Sequence, residues 1–424
     1  MAAYMPQAIS FLGLLVMLGL AWVCSENRKA VQWRPVIWAV GLQLALALLI
    51  LQTRFGPWLF NYVKQGFDVI TDASTAGASF VFGNLTQFFL IEHVLTPGAT
   101  GMEQQGPFAI SAVIAFNVLP VIIFVSALAA ILQHVGIIQL VVRAMAWLMQ
   151  RTMKTSGAET FGVALLAFLG IESVSALGSY LGRMTRSEIF VLMTGFLATI
   201  AASVMVAYAG FGAEPGHLLA ASIMSAPAAL AMAKIIIPET GTPETSGITR
   251  VDIPRESHSI FDSITLGTQR GVQMALSVGS MLIVFVGLIY LVNLFTVGIT
   301  GQSLTSLLGW GFRPLAWVMG IPTQDVAVVA ELLATKSVFN EFLAYQQLQP
   351  LIAEGQLSPR SVTIATYALC GFANPGSLGI LIGALASLVP ERRDEVAKLS
   401  LRAFVAGTLA AFSTACIAGM LTHG

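Results

Sequence analysis

Long apolar stretches of this chain run without a charged residue over Met5–Cys24, Pro35–Gln52, Phe108–Gln133, Ile189–Ala213, Gly271–Phe312, Ser361–Pro390 and Ala403–Thr422. His217–Ala233 is shorter but continues through Lys234 into Ile235, Ile236 and Ile237. A helix needs roughly 17–25 apolar residues to cross the hydrocarbon core of a bilayer. With no water there to take up N–H and C=O groups, the backbone must satisfy itself. Of 424 residues only 10% are charged and 56% are hydrophobic, against roughly 25% charged in a soluble domain. The fold class that follows is an all-α polytopic membrane protein with eight transmembrane helices.

The first run lacks a basic start and a small-residue cleavage site, so it reads as a retained span and not as a signal peptide. Its basic flank follows it at Arg28, Lys29 and Arg34. With the N-terminus outside, most of the 21 lysines and arginines fall on the inner side, leaving Arg54, Lys64, Arg313, Lys336 and Arg360 outside. That bias is the positive-inside pattern, and it places both termini on the outer side. Cys24, Cys370 and Cys416 lie in or beside apolar runs without metal-ligand spacing, as small hydrophobes do. A formal net charge of zero argues against a nucleic-acid partner.

Two stretches must then enter and leave the membrane on one side. Thr160–Ile171 and Ser173–Gly182 are short apolar arms meeting near Gly170 and Glu172, and Val326–Pro350 repeats the arrangement. Each precedes two spans, and the two enter from opposite faces, which is the signature of an inverted repeat whose interface holds substrate. Two amphipathic surface hairpins are the alternative. Phe55–Asp72 reads as an interfacial helix, and Thr240–Gln269 as a polar inner linker. Gly271–Phe312 exceeds one perpendicular span, so it is tilted or followed by an interfacial piece. The divisions are 1–72 (first spans and interfacial helix), 73–156 (joining spans), 157–239 (first repeat), 240–322 (linker, long span and interfacial segment) and 323–424 (second repeat).

Chemistry concentrates in the second repeat. Glu341 stands in an apolar stretch, and Gly371, Asn374 and Pro375 interrupt the charge-free run Ser361–Pro390. An ionisable group at membrane depth faces a partner, a protein interior or a pathway. A broken helix is tolerated there only where its freed backbone is buried in protein or lines a cavity. Together they describe the midplane site of a secondary transporter. Glu341 locked to Lys336 would be the bland reading.

The residues also resemble a known family, the concentrative nucleoside transporters. The resemblance rests on Ala78–Gly83, Met184–Glu188, Ala334–Lys336 with Asn340–Phe342, Cys370–Asn374 and Arg402–Leu409, in that order and over nearly the whole chain. It implies a homotrimer with a central scaffold and peripheral transport domains that move as elevators, importing nucleosides with sodium or protons. It implies that Glu341, Asn374 and Ser377 bind ribose hydroxyls, that Phe372 and Val204 pack against the nucleoside, and that the first hairpin's tip faces the base. A carboxylate accepts from two vicinal hydroxyls, and an amide both donates and accepts.

The tip departs from the family's Gly-Gln-Thr/Ser-Glu and reads Gly170-Ile171-Glu172-Ser173. Apolar Ile171 stands where an amide would read the base edge, so base choice is expected to relax or shift. The family's cation site corresponds to Leu166, Thr199 and the carbonyls of Leu169 and Ile200. Thr199 keeps an oxygen and Leu166 offers none, which favours proton coupling over sodium, with Glu172 or Glu341 as carrier. Burial can raise a carboxylate pKa far enough for that role. No cofactor is expected. A chain without long terminal extensions suits a bacterial inner (plasma) membrane. A membrane-embedded enzyme is the rival from another class, but the five histidines are scattered and no metal or nucleophile motif is present. A binding or sensing protein that kept the fold without transport is the other.

Overall fold

The computed structural model describes residues 5–86, 90–91, 108–109, 114–246 and 257–422. Helices α1 (Met5–Val23), α2 (Trp33–Leu51) and α3 (Phe55–Phe82) open the chain. Two-residue strands β1 (Leu90–Ile91) and β2 (Phe108–Ala109) pair antiparallel, with Leu90 opposite Ala109. A π-helical turn, Ile114–Val118, leads into α4 (Leu119–Val135), followed by α5 (Ile137–Met153). Next come α6 (Gly157–Leu169), a 3-10 segment Gly170–Leu177, α7 (Gly178–Leu181), α8 (Arg186–Ala198), α9 (Ala202–Gly210) and α10 (Pro215–Ile236). After α11 (Ile260–Thr300) and α12 (Leu304–Val318) the order returns as α13 (Val326–Val338), α14 (Glu341–Ala353), α15 (Pro359–Leu369), α16 (Pro375–Leu388) and α17 (Arg393–Leu421).

Each half is thus a hairpin, a helix broken in its middle, and a continuous helix. Among the described residues, seven helical segments, the interrupted α8–α9 pair counted as one, are long and apolar enough to cross a membrane. The broken pair α15 and α16 is the remaining expected span. Three elements differ from the sequence reading. The amphipathic segment expected over Phe55–Asp72 continues to Phe82 as a helix of 28 residues. Helix α11 runs 41 residues and begins at Ile260, because Ser259 caps it through Asp262 N–H at 3.1 Å. The polar linker is therefore shorter than Thr240–Gln269, and α12 supplies the second piece expected after the long span. The second arm of the first hairpin is mostly 3-10, with one α turn at its end.

Hydrophobicity all round a helix marks burial, and a one-sided stripe marks a boundary. The most apolar window of α8–α9 is 94% buried and that of α10 is 89%, against 6% for α11. Alanines and serines around α10 (Ala220, Ser222, Ala226, Ala229) are all buried, since small side chains let backbones approach without a hydrophobic drive from water. Helix α11 instead exposes Ile283, Phe295 and Ile299. Its attachment is a small-residue contact: a Cβ on Gly267 would fall 2.7 Å from Ala127 Cα, and one on Gly271 2.7 Å from Ile123 Cα. The pair reads G-x-x-x-G, the spacing that brings two membrane helices into backbone contact.

Short polar clusters fix the entry of each hairpin. Ser156 caps α6 in a capping box with Glu159, and Thr185 caps α8 in one with Glu188, so each satisfies two orphan donors at a helix start. The two boxes join where Ser156 Oγ donates to Glu188 Oε1 at 2.5 Å. Buried Lys234 of α10 ties in, 2.7 Å from Glu159 and 3.2 Å from Glu239. At the second hairpin Asp325 takes the same part, accepting from Ser358 Oγ at 2.7 Å and Ser361 Oγ at 2.6 Å. Replacing Gly271 by valine is expected to destabilise the protein by about 1–3 kcal/mol, the cost of overpacking a tight contact. Gly287→Val, where a Cβ meets nothing within 4 Å, is expected to be neutral; thermal unfolding in detergent compares them.

Candidate functional site

Both helix breaks are built from residues that stop a helix. Helix α15 ends before Cys370, and Gly371 adopts φ 152°. A Cβ there would sit 3.0 Å from the Ala198 carbonyl oxygen, so the backbone of one break presses on the end of α8. Phe372 N donates to the Thr199 carbonyl at 3.2 Å and Asn374 N to the Phe372 carbonyl at 2.8 Å. Pro375 occupies the first turn of α16, where a missing N–H costs nothing. In the second hairpin α13 ends at Val338, and α14 restarts at Glu341.

Two asparagines begin the two new helices. Asn340 caps α14 by accepting from Leu343 N at 2.8 Å, and Asn374 caps α16 by accepting from Ser377 N at 2.8 Å. Glu341 is the first residue of α14, where a carboxylate is favoured by the positive end of the helix dipole. It is 5% exposed, and each of its oxygens takes one donor. Tyr208 Oη donates to Oε1 at 2.7 Å, and Asn374 Nδ2 to Oε2 at 2.7 Å. Asn374 Nδ2 also donates to Ser377 Oγ at 3.0 Å. A carboxylate has about four lone-pair sites, so about two stay open.

These groups front a cavity of ≈ 280 Å³. Of the residues expected at the site, Gly170, Ile171, Val204, Glu341, Phe372, Asn374 and Ser377 line it. The side chains of Glu172 and Ser173 lie outside the described residues. Leu169, Thr199 and Ile200 lie off the cavity wall: Ile200 is fully buried, and Thr199 Oγ1 donates to the Gly195 carbonyl at 2.9 Å. Leu166 is buried beside Gly195, 3.6 Å from where a Cβ would stand. Phe372 is half-buried with one side on Phe196, centroids 5.5 Å apart.

Lys336 does not lock Glu341. Its ammonium is fully buried and donates to the Ala368 carbonyl at 2.7 Å, near the end of α15. Two parts of the site escaped the sequence reading. Tyr208, stacked on Tyr345 at 4.4 Å, is four residues after Val204 and so on the same face of α9; that spacing was its only signal. The other is a wall from α11, including Gln273, Ser277, Met281 and Phe285, which nothing in an unbroken charge-free run singles out.

A helical membrane protein with paired hairpins and broken helices around a largely apolar cavity that holds a few polar groups is built as a secondary transporter. Three family descriptions match in succession: "Na+ dependent nucleoside transporter N-terminus" over residues 12–85, "Nucleoside recognition" over 115–215, and "Na+ dependent nucleoside transporter C-terminus" over 217–419. Solute carrier family 28 member 3 of Rattus norvegicus is 37% identical, over 98% of this chain and 59% of its own length. Sodium/nucleoside cotransporter 1 of Homo sapiens is 35% identical, over 98% and 64%. The chain thus spans about 60% of the length of these relatives. The inward-facing, substrate-bound structure of CNTnw superposes with TM-score 0.89 at 34% identity, covering 98% of both chains. An outward-facing variant of CNTnw gives 0.88 at 33%, also over 98% of both. This chain belongs to the concentrative nucleoside transporter family, whose members are transporters and not enzymes.

Tyr208→Phe keeps the stack on Tyr345 and removes one donor from the Glu341 carboxylate. It is expected to cost about 1–3 kcal/mol, the penalty for a buried charged acceptor left short of a partner. Unfolding of Tyr208→Phe, Glu341→Gln and the double variant in detergent checks this; a coupling below about 0.5 kcal/mol would show that the bond carries no weight.

Proposed function

We propose that this protein imports nucleosides across the membrane together with a cation, by alternating access. The observation that carries the reading is the Glu341–Asn374–Ser377 constellation at two helix N-termini on one cavity. Glu341 keeps lone pairs for the two vicinal hydroxyls of a ribose, and its bonds to them are charge-assisted. Ser377 Oγ accepts from Asn374 and has its own proton to donate. Asn374 already spends Oδ1 on its cap and Nδ2 on Glu341 and Ser377, so its part is to hold the other two. Phe372 offers a ring to the nucleoside's flat face. Relatives in inward- and outward-facing states support the alternating access. The family's architecture supports a homotrimer with the two repeats moving against a scaffold. The positive-inside pattern supports both termini outside a bacterial inner membrane.

The coupling ion has two readings. Sodium is supported by the names of the relatives, which are sodium/nucleoside cotransporters. A proton is supported by Leu166, an apolar side chain packed against Gly195 where a side-chain oxygen would be needed. The Thr199 carbonyl is also engaged by Phe372 N. We take the proton as the first reading, with Glu341 or Glu172 as carrier.

Purified protein in vesicles, given labelled uridine and adenosine with sodium and proton gradients imposed separately, tests both parts. Uptake following the proton gradient alone is expected; uptake following sodium at fixed pH overturns the ion and leaves the transport reading in place. Glu341→Gln is expected to lower uptake efficiency roughly a hundredfold, the scale of two charge-assisted hydrogen bonds. Retained binding without counterflow would favour a sensing role instead.

A further inference from the structure

Helix α5 is not among the segments apolar enough to cross the membrane, and it contributes nothing to the cavity wall. It begins two residues after Val135, where the spanning segment Ile114–Val135 reaches a membrane face, and the chain turns between them at Gly136, φ 95°. Its start therefore lies at the level of the lipid headgroups, on the side that the positive-inside pattern makes the inner one. One face of α5 is protein-facing: Val142, Ala146, Met149 and Met153 recur at intervals of three and four residues and are buried, with α2, α4 and α6 packed on the helix. The opposite face carries Leu140, Arg143, Trp147 and Arg151, with Lys154 at the C-cap, all of them exposed. The same spacing makes these one stripe.

The stripe is basic and apolar at once. No acidic residue occurs from Ile137 to Lys154, and among the described residues no carboxylate pairs with Arg143, Arg151 or Lys154. Arg151 Cζ stands 5.7 Å from the centre of the Trp147 ring, which holds guanidinium and indole together. Leu140 is 71% exposed and Trp147 55%, so a large apolar area lies beside the three cations. We propose that this face of α5 is a docking surface for anionic phospholipid of the inner leaflet, with acyl chain against Leu140 and Trp147 and phosphate among Arg143, Arg151 and Lys154. Helices that lie in the membrane interface combine these residue types, and tryptophan settles at headgroup level. Each Lys or Arg near an anionic leaflet strengthens attraction roughly fivefold. A free phosphate would answer the cations and leave Leu140 and Trp147 uncovered. A second copy presenting the same stripe would set like charge against like.

The test uses Trp147 as the reporter, in the full chain reconstituted into phosphatidylcholine vesicles. Its emission, taken as the difference between wild type and Trp147→Phe, is quenched by brominated lipid that touches it. Brominated phosphatidylglycerol is expected to occupy the face with an affinity at least tenfold above that of brominated phosphatidylcholine, on the scale of the three cations. Arg143→Gln with Arg151→Gln and Lys154→Gln is expected to bring this preference near one. Arg393→Gln with Lys398→Gln, which removes two exposed cations of α17, is expected to leave it unchanged, as is millimolar inorganic phosphate. The wild-type ratio decides even where the triple variant does not fold. Equal quenching by the two lipids overturns the proposal, as does quenching by neither, the result a protein neighbour covering the face would give. Loss of the preference in the α17 variant, or on adding inorganic phosphate, overturns it too: the first would mean a response to overall charge, the second a site for free anions.

Discussion

Two interrupted helices meet at their interruptions, and the hydrogen bond from Phe372 N to the Thr199 carbonyl is the constraint around which the site is assembled. A break frees backbone groups that an apolar surrounding cannot satisfy, at several kcal/mol each. Here Phe372 of one break donates to Thr199 of the other, so one freed group on each side is satisfied. The contact also explains Gly371, since the Ala198 and Leu197 carbonyl oxygens occupy the space a side chain would need. Once the chain has turned there, α16 must start afresh, and its first residues arrive at the cavity with unpaired N–H groups. Asn374 answers one of them and carries Ser377 into place in the same act.

Charge at the site is managed by helix ends and not by an ion pair. Glu341 and Lys336 are five positions apart across the second hairpin's tip, both buried, and among the described residues no ion pair joins them. Glu341 sits at the start of α14, where the dipole is positive, and the Lys336 ammonium sits on a carbonyl in the last turn of α15, where it is negative. Each charge is stabilised locally. A direct bridge would have filled the carboxylate's lone pairs and closed it to a ligand; the observed arrangement keeps it charged-group-compatible and open.

The architecture was legible in the sequence because lipid imposes a length on every apolar run. The first hairpin was legible because two apolar arms too short to span meet near Gly170 and Glu172, and the second because Val326–Pro350 repeats that arrangement before two further spans. Glu341, Asn374, Ser377 and Phe372, which line the cavity, were singled out because a carboxylate and a Gly/Asn/Pro break are costly in such surroundings and stand out for that reason. The α11 wall was not found. Gln273 and Ser277 cost little where they are, so they left no mark in a charge-free run, and only the packing of α11 on α4 brings them to the cavity. The length of α11 was misjudged for a related reason: its first turn is polar, and Ser259 with Asp262 make a helix start inside what composition alone reads as linker.

The two ends of the cavity consequently have different mechanical character. Glu341, Asn374 and Ser377 are bound to one another across α14 and α16, and through the breaks to α8, so this end of the cavity is one unit with the repeats. The α11 wall is fastened elsewhere, by Gly267 and Gly271 against the backbone of α4. Its contacts with the repeats at this site are side-chain tips, such as Ser203 Oγ to Met274 Sδ at 3.6 Å. Backbone contact sealed by glycines resists sliding, while contacts made by flexible thioether ends yield to it. A displacement of the repeats along α11 would therefore leave the Glu341–Asn374–Ser377 cluster intact and change which residues of α11 stand opposite it. The two sides of the cavity are in this way held by different kinds of contact, one by hydrogen bonds within the repeats and the other by backbone packing on α4.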